Sequence, residues 1–547
     1  MFDIKKNSVK AKRLAEIVQI LSRYDLADWF KKSSFEFIHK HLLSPEKKAI
    51  MDMPFSERFR IALTELGPTF IKMGQILSTR ADLIGHDVAD ELRKLQADTP
   101  ADEPDIVEST IRDELGKLPE ELFSKFERKA FSSASIGQVH RAWLADGQQV
   151  VVKVQHDGIQ EKVKTDLALL EHLSALVQEH VPEARAYQPV ATTREFKRTL
   201  LRELDFSCER RNMEQFTRNF TEDETVHIPS VYKELCSRRV LTMELLKGIP
   251  GSKPGKLHEA SVDLNEFANR SANVFLNMIL RDGFYHADPH PGNFMLLKDS
   301  VLGLMDCGMV GRIDESLREQ FEDMLILLFQ ADAEGLSDVL LRLGSAPPDI
   351  DRADFQAEIS DLLVDVGTQS IQELEIGPIL ERISDILRRY HILLSSRVSL
   401  LLKTLVMLEG TSRLFSANFS LAELLEPFKE RIILERMDPR RWLRKSQRSI
   451  RDIYRLARQA PRNVSDILDR LQTGELTIRH DVQHLEVIAN RLVAGLLMAS
   501  MFMGSSLLLS RGFPPLVSGI SVFGAIGCVT AVVFGMRLLY MIRKGLK

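Results

Sequence analysis

The stretch that decides the fold is His286-Ala287-Asp288-Pro289-His290-Pro291-Gly292-Asn293, with Asp306-Cys307-Gly308 downstream. It gathers two carboxylates, an amide and two imidazoles into residues 286–308. A short apolar strand pattern, Phe294 to Leu297, separates the two clusters and is followed by a Lys298-Asp299-Ser300 turn. A second apolar stretch, Val301 to Met305, then delivers Asp306.

This layout suits phosphoryl transfer with magnesium, in which one Asp meets the nucleophile while an Asn and a second Asp hold metal against the phosphates. The protein-kinase signature has the same order: a catalytic-loop Asp, then Asn, then the Asp of D-F-G. Asp288 and Asn293 are five apart, and Asp306 follows thirteen later. Two blander readings compete: a loop merely decorated by His286, Asp288 and His290, or a zinc site. Neither needs the downstream Asp-Cys-Gly, and the upstream sequence favours the kinase-like reading.

Upstream, Phe131-Ser132-Ser133-Ala134-Ser135-Ile136-Gly137-Gln138-Val139 enters a β-rich run. An Asp146-Gly147 turn follows, then Gln149-Val150-Val151-Val152-Lys153-Val154. Two β-rich runs around Asp-Gly predict a hairpin. A loop of small residues lets backbone N–H groups approach phosphates. Lys153 lies in an apolar run, where an ammonium requires a partner. The helical stretch 192–219 offers Glu203 and Glu209. Six residues is about a third of a turn out of phase, so at most one of the two should face Lys153; the residues alone do not rank them. Residues 238–246 read as a strand containing Met243-Glu244, where a hinge between lobes would meet adenine. Further upstream, Gly67-Pro68 ends one helix and starts another. Lys72, Gln75 and Thr79 share a face of that second helix. Residues 314–436 are helical, with apolar runs such as Leu400 to Leu408, and carry no motif.

At 547 residues the chain is too long for one ordinary core. With 27% charged residues and a net charge of −4 there is no nucleic-acid footprint, and none is expected as a partner. Cys208, Cys236, Cys307 and Cys528 form no C-x-x-C pair and fit a reducing compartment. Residues 1–50 read as polar-to-amphipathic helix, and the N-terminus lacks a signal-peptide core. Residues 437–462 are rich in arginine with interleaved apolar residues, suited to anionic lipid headgroups at roughly 1 kcal/mol per basic residue. Leu492 to Ser510 and Leu516 to Met536 are uncharged apolar runs joined by Arg511-Gly512-Phe513-Pro514-Pro515. Each is long enough to cross a bilayer. The flanking Arg491, Arg537, Arg543, Lys544 and Lys547 predict both ends on the cytoplasmic side. Ser500/Gly504 and Ala531/Gly535 suggest packing of the two helices on each other or on a second protomer.

With these residues in hand, the chain resembles the UbiB/AarF/ADCK family of atypical kinase-like proteins. The resemblance rests on Lys72-Met73-Gly74-Gln75, the loop Ser132 to His140, Lys153, Glu203-Leu204-Asp205, Glu209-x-x-Asn212, His286 to Asn293 and Asp306-Cys307-Gly308. It implies that Lys153 and Glu209 form the nucleotide-positioning pair and that Asp288 is the catalytic base. It also implies that Asn293 and Asp306 hold magnesium. Lys72 and Gln75, with Glu203 and Asp205, would form an extra element over the site that blocks protein-sized substrates. The family's loop is alanine-rich, whereas here it opens Ser132-Ser133 with Ala134 retained.

The expected fold is α+β: a two-lobed protein-kinase-like domain with extra N-terminal helices and a C-terminal transmembrane helical hairpin. The expected divisions are an N-terminal helical extension (1–54), the K-x-G-Q element (55–120) and an N-lobe (121–245). A C-lobe (246–436), a basic juxtamembrane segment (437–490) and two transmembrane helices with a basic tail (491–547) follow. The nucleotide set is residues 131–139, Lys153, Glu209, Met243 and Glu244, with ATP and Mg²⁺ as cofactors. The expected function is an ATPase supporting isoprenoid-quinone (ubiquinone) biosynthesis at the bacterial inner membrane. Its partners would be anionic lipids and a quinone precursor or the enzymes that handle it. The alternatives are a small-molecule or lipid kinase and a non-enzymatic, nucleotide-gated scaffold.

Overall fold

The computed structural model describes residues 4–24, 53–95, 99–181, 187–259, 262–367, 373–436 and 485–544, with isolated exceptions. The chain divides into two units, Met1–Asp438 and Pro439–Lys547. The basic stretch 437–462 lies outside the described residues, as do residues 27–50.

The first unit opens with helices α1 (Ile4–Arg23), α2 (Phe55–Leu66), α3 (Pro68–Leu77) and α4 (His86–Arg93). Gly67 has φ +93°, a conformation strained for any side chain, and Pro68 occupies the first turn of α3. Next come α5 (Pro104–Leu115), β1 (Lys125–Phe126), β2 (Ser132–Ser133), β3 (Gly137–Trp143), β4 (Gln149–Gln155), α6 (Ile159–His180), α7 (Pro189–Glu203), α8 (Phe206–Asn219), β5 (Val226–His227) and β6 (Val240–Glu244). Antiparallel strands in the order β1-β3-β4-β6, with β2 on β3, form the N-lobe sheet. Gly147, at φ +83°, closes the β3–β4 hairpin. Strand alternation puts Val150, Val152 and Val154 on one face, in a core with Val107 and Ile111 of α5. Lys153 lies on the other face. The helices α1–α3 dock on α6 through Asp166, which accepts from Arg13 at 2.7 Å and from Thr69 at 2.6 Å.

The stretch 192–219, expected to be one helix, is two. Helix α7 ends at Glu203, and the Asp205 carboxylate caps α8 by accepting from the Ser207 N–H at 3.0 Å.

The second lobe contains β7 (Ile249–Pro250), α9 (Leu264–Leu276), β8 (Phe284–His286), β9 (Phe294–Leu296), β10 (Leu302–Leu304) and β11 (Val310–Arg312). It ends in α10 (Glu315–Phe329), α11 (Ala333–Leu343), α12 (Arg352–Gly367), α13 (Ile376–Arg389), α14 (Ser396–Phe415) and α15 (Leu421–Arg436). Asp263, Asp314, Asp332 and Ser395 cap α9, α10, α11 and α14. A continuous apolar core runs from Phe206 and Phe216 of α8 through Phe275 and Tyr285 to Leu401 and Leu405 of α14. It backs the β8–β11 region, so the loops between those strands project from a rigid floor.

In the second unit α16 (Leu485–Ser510) packs on α17 (Val522–Lys544). Residues Val493–Ser510 are long and apolar enough to cross a membrane, whereas the apolar part of α17, Val522–Arg537, is shorter. The second apolar run was expected to be helical from Leu516. Its first residues instead form a small hairpin, β12 (Leu516–Val517) with β13 (Ile520–Ser521), immediately after Pro514-Pro515. The expected small-residue seam also shifts. A Cβ at Gly504 or Gly535 would meet open space, whereas one at Gly524 or Gly527 would collide with Ser505 of α16. Ser505, Gly524 and Gly527 therefore let the helices approach, with Ala531 buried one turn on. The architecture is a two-lobed kinase-like fold with added N-terminal helices and a C-terminal apolar helical hairpin.

Candidate active site

Strand β4 and helix α8 bring Lys153 and Glu209 together, Nζ to Oε2 at 2.8 Å. The Lys153 ammonium also lies 5.1 Å from the centre of the Phe206 ring. Burial works against the ammonium, but the carboxylates of Glu209 and Asp306 outweigh it and raise its pKa. Burial likewise pushes the Glu209 carboxyl up, against the pull of Lys153. Glu203, at the end of α7, turns to a different cation and meets Lys72 of α3 at 2.9 Å. Both glutamates thus reach the cleft because the chain breaks at Leu204-Asp205, and each takes its own lysine.

Asp306 follows β10 at φ +47°. Lys153 lowers its pKa most, against desolvation, and Lys72 and the Gly308 N–H add to the effect, holding it at about 2. The carboxylate is therefore charged at any physiological pH. The imidazole of His286, fully buried among Phe216 and Phe275, ties the two loops together. Its Nδ1 accepts the Asp288 N–H at 3.2 Å, so the proton sits on Nε2, which donates to the Asp306 carbonyl at 3.0 Å. Met305 N–H donates to the Asn293 carbonyl at 2.9 Å. Asn293 Nδ2 donates to the Asp288 carbonyl at 3.0 Å and to Asp288 Oδ2 at 2.9 Å. Asn212 of α8 donates to the Cys307 carbonyl at 3.0 Å, fixing the Asp306 loop from behind.

The remaining residues singled out in the sequence divide. Ser132 and Ser133 form β2, paired with Val139 and Gln138. Val139 lies opposite Lys153, hence on the cleft face of the sheet. Gln138 falls on the opposite face, fully buried, and neither of its amide atoms has a partner. Ser135 and Ile136 are buried, whereas Phe131 is exposed under the Arg141 guanidinium, 4.2 Å from its ring centre. Met243 pairs in register with Val151 and so shares the Lys153 face. The Glu244 N–H donates to Ser230 and that of Leu245 to Gln149, so neither is free for a base. The Glu244 carboxylate accepts from the Ser230 N–H at 3.1 Å and lies 3.0 Å from His227 Nε2. Gln75 donates to the Leu95 carbonyl at 3.1 Å within its own helical layer. Asp205 is occupied as a helix cap.

Sequence reading missed Lys403 on α14. Its Nζ is 3.5 Å from Ser78 Oγ at the end of α3, in a small pocket shared with Asp82, His86 and Arg93. Helix α14 also supports the Asp288 loop, Thr411 Oγ1 donating to the Pro289 carbonyl at 2.8 Å and Thr404 Oγ1 to that of Ala287 at 3.4 Å. Burial lowers the Lys403 pKa to about 8, with Asp288 opposing the shift and Arg93 adding to it. The signal was present: Lys403 is the lone charge in Val398 to Leu408.

Among the described residues no three of His, Cys, Asp or Glu gather as a self-sufficient metal site. The donor set does fit a magnesium ion, which takes few protein oxygens and completes its shell with phosphates and water. Asn293 spends its amide nitrogen on Asp288, leaving Oδ1 as a neutral oxygen donor, and Asp306 supplies a fixed negative charge.

Three family descriptions match the chain: an ABC1 atypical kinase-like domain over residues 94–340, a UbiB helical domain over 359–420, and an ABC1/UbiB kinase-like C-terminal domain over 477–544. A protein named probable protein kinase UbiB from Pseudomonas paraeruginosa is 32% identical over 474 residues, covering 84% of this chain and 87% of the relative. The protein of that name from Azotobacter vinelandii is 31% identical over 498 residues, covering 88% and 92%. A solved structure of the Rv3197–erythromycin complex from Mycobacterium tuberculosis covers 60% of this chain and 90% of that one, with 22% identity and a TM-score of 0.40.

Proposed function

The chain belongs to the UbiB/AarF/ADCK family of atypical kinase-like proteins and is membrane-associated; from that premise we propose that it binds magnesium–ATP in the interlobe cleft and hydrolyses it in support of isoprenoid-quinone (ubiquinone) biosynthesis. The observation that carries the reading is the Lys153–Glu209 pair at 2.8 Å beside an Asp306 held at about 2. Lys153, oriented by Glu209, contacts phosphate oxygens. The β2–β3 turn covers the phosphates. Adenine packs on the Met243 face, and backbone recognition falls to the residues after Leu245. Asn293 Oδ1 and Asp306 would hold the magnesium, which when bound neutralises charge on the phosphates. Asp288 takes the proton of the attacking water, its carboxylate oriented by the Asn293 amide. The Lys72–Glu203 bridge binds the N-terminal helices to α7 at the cleft, which supports hydrolysis or small-molecule chemistry over protein phosphorylation.

The apolar hairpin anchors the chain in the bacterial inner membrane with both ends and the kinase-like domain on the cytoplasmic side. The basic stretch 437–462 rests on anionic lipids, and the hairpin also offers a surface for self-association. The test is phosphate release from ATP by the full-length protein in nanodiscs, with and without anionic lipid, beside Asp306→Asn. Release that falls at least about 100-fold in the variant supports the reading. Absence of both release and calorimetric nucleotide binding in the folded wild type sinks it. Label appearing in lipid extracts instead of inorganic phosphate would make the protein a lipid kinase.

A further inference from the structure

Between α2–α3, α6–α7 and the first turns of α8, reaching Gly308 behind the Asp306 loop, lies a cavity of about 890 Å³. That volume is at the upper end of small-molecule sites. Its walls are apolar: Leu63 and Phe70 from α2 and α3, Leu170 and Val177 from α6, and Phe196 from α7. Five arginines and two glutamates line it, but Arg80 is paired with Asp82, Arg397 with Asp314 and Arg198 lies by Glu195, so the cations that meet no carboxylate among the described residues are Arg202 and Arg312. Glu203 is already neutralised by Lys72, and Glu195 accepts from Ser396 and faces Arg80. Arg198, Arg202 and Arg312 are exposed and so mark the opening. An apolar chamber under a cationic mouth is complementary to one kind of occupant: an apolar chain ending in a negative head.

We propose that this cavity binds a single-chain amphiphile with an anionic head, taken from the membrane to which the protein is attached. The chain lies between α2–α3 and α6–α7, and the head meets Arg202 and Arg312. Asn212 lines the same cavity and holds the Cys307 carbonyl at 3.0 Å. An occupant therefore touches the residue that braces the Asp306 loop. Binding itself does not depend on the nucleotide reading; only its influence on turnover does.

The test uses the full-length protein in phosphatidylcholine nanodiscs with a dodecyl phosphate carrying a diazirine at its chain end, and maps labelled peptides by mass spectrometry. Label is expected in residues 59–77 and 170–203. Filling the chamber by Ser174→Phe or, separately, Thr199→Phe should cut that label about tenfold. The surface pair Arg202→Glu with Arg312→Glu should lose the phosphate probe and gain a dodecyltrimethylammonium analogue, with an unchanged unfolding midpoint showing that the fold is intact. No label in the wild type overturns the proposal, as does label confined to residues 485–544 or label unaffected by both filling and charge reversal. Because no nucleotide is needed, a failed binding test and a failed ATPase test are separate results.

Discussion

Lys153 and Lys403 are two ammonium groups withdrawn from water on opposite sides of one cleft, and burial leaves them in opposite states. Lys153 has a carboxylate at 2.8 Å and its pKa rises; Lys403 has a hydroxyl at 3.5 Å and its pKa falls to about 8. Desolvation opposes charge at both sites, so the nearest partner decides the outcome. The N-lobe side of the cleft holds a fixed cation. The helical side, next to Asp288, holds one whose charge changes close to neutral pH.

Breaking the fixed side should have the largest effect. Lys153→Met leaves Glu209 buried opposite no cation. It should cost about 3 kcal/mol in denaturant titration, the lower end for a broken buried pair because Lys153 is partly exposed, and abolish nucleotide binding in calorimetry. A Lys153→Met variant as stable as wild type would show that the pair is not what holds the charge. Asp306→Asn comes next and removes the carboxylate that both cleft lysines face. The wild-type group has a folded pKa of about 2 against an ordinary 3.8. Its stabilising contribution is full above pH 3.8 and is lost as pH falls towards 2. The acid limb of unfolding between those values should therefore be shallower in the variant.

Lys403→Met sharpens the comparison from the other side. The folded state resists protonating Lys403 until about pH 8, while the unfolded chain protonates near 10.5. The penalty is full below pH 8, declines between 8 and 10.5 and is absent above. The variant should therefore be more stable than wild type at pH 7, by about 1 kcal/mol, with the gain vanishing above pH 10.5. Its turnover should also lose any inflection near pH 8. The smallest effect belongs to Lys72→Ala: its pair with Glu203 is partly exposed and should be worth about 1 kcal/mol or less by double-mutant cycle.

The cleft was legible in sequence wherever chemistry demands a residue type at a fixed spacing. Asp288, Asn293 and Asp306 stand out because loop, strand and loop each announce themselves. The partner of Lys153 was legible only through the family resemblance, which implied Glu209; helix spacing left Glu203 and Glu209 unranked. A six-residue spacing puts Glu203 and Glu209 on different faces only if the helix is continuous, and the chain is interrupted where Asp205 caps α8. Lys403 was hidden because an apolar helix with one lysine reads as packing until the Asp288 loop is seen against it. The second apolar segment was read by composition alone, and composition does not show that Leu516-Val517 pairs with Ile520-Ser521 after two prolines.

The left-handed backbone at Asp306 bears on how such a protein could lose the activity proposed for it. At φ +47° only glycine, asparagine and aspartate sit with little strain. The loop that His286 and Asn212 brace therefore accepts few replacements without changing shape. A lineage that abandoned the chemistry but kept the scaffold would drift at this position to asparagine or glycine, each one base change away. Such a descendant would be an intact fold with a silent centre, distinguishable from a decaying gene by which residue had replaced the aspartate.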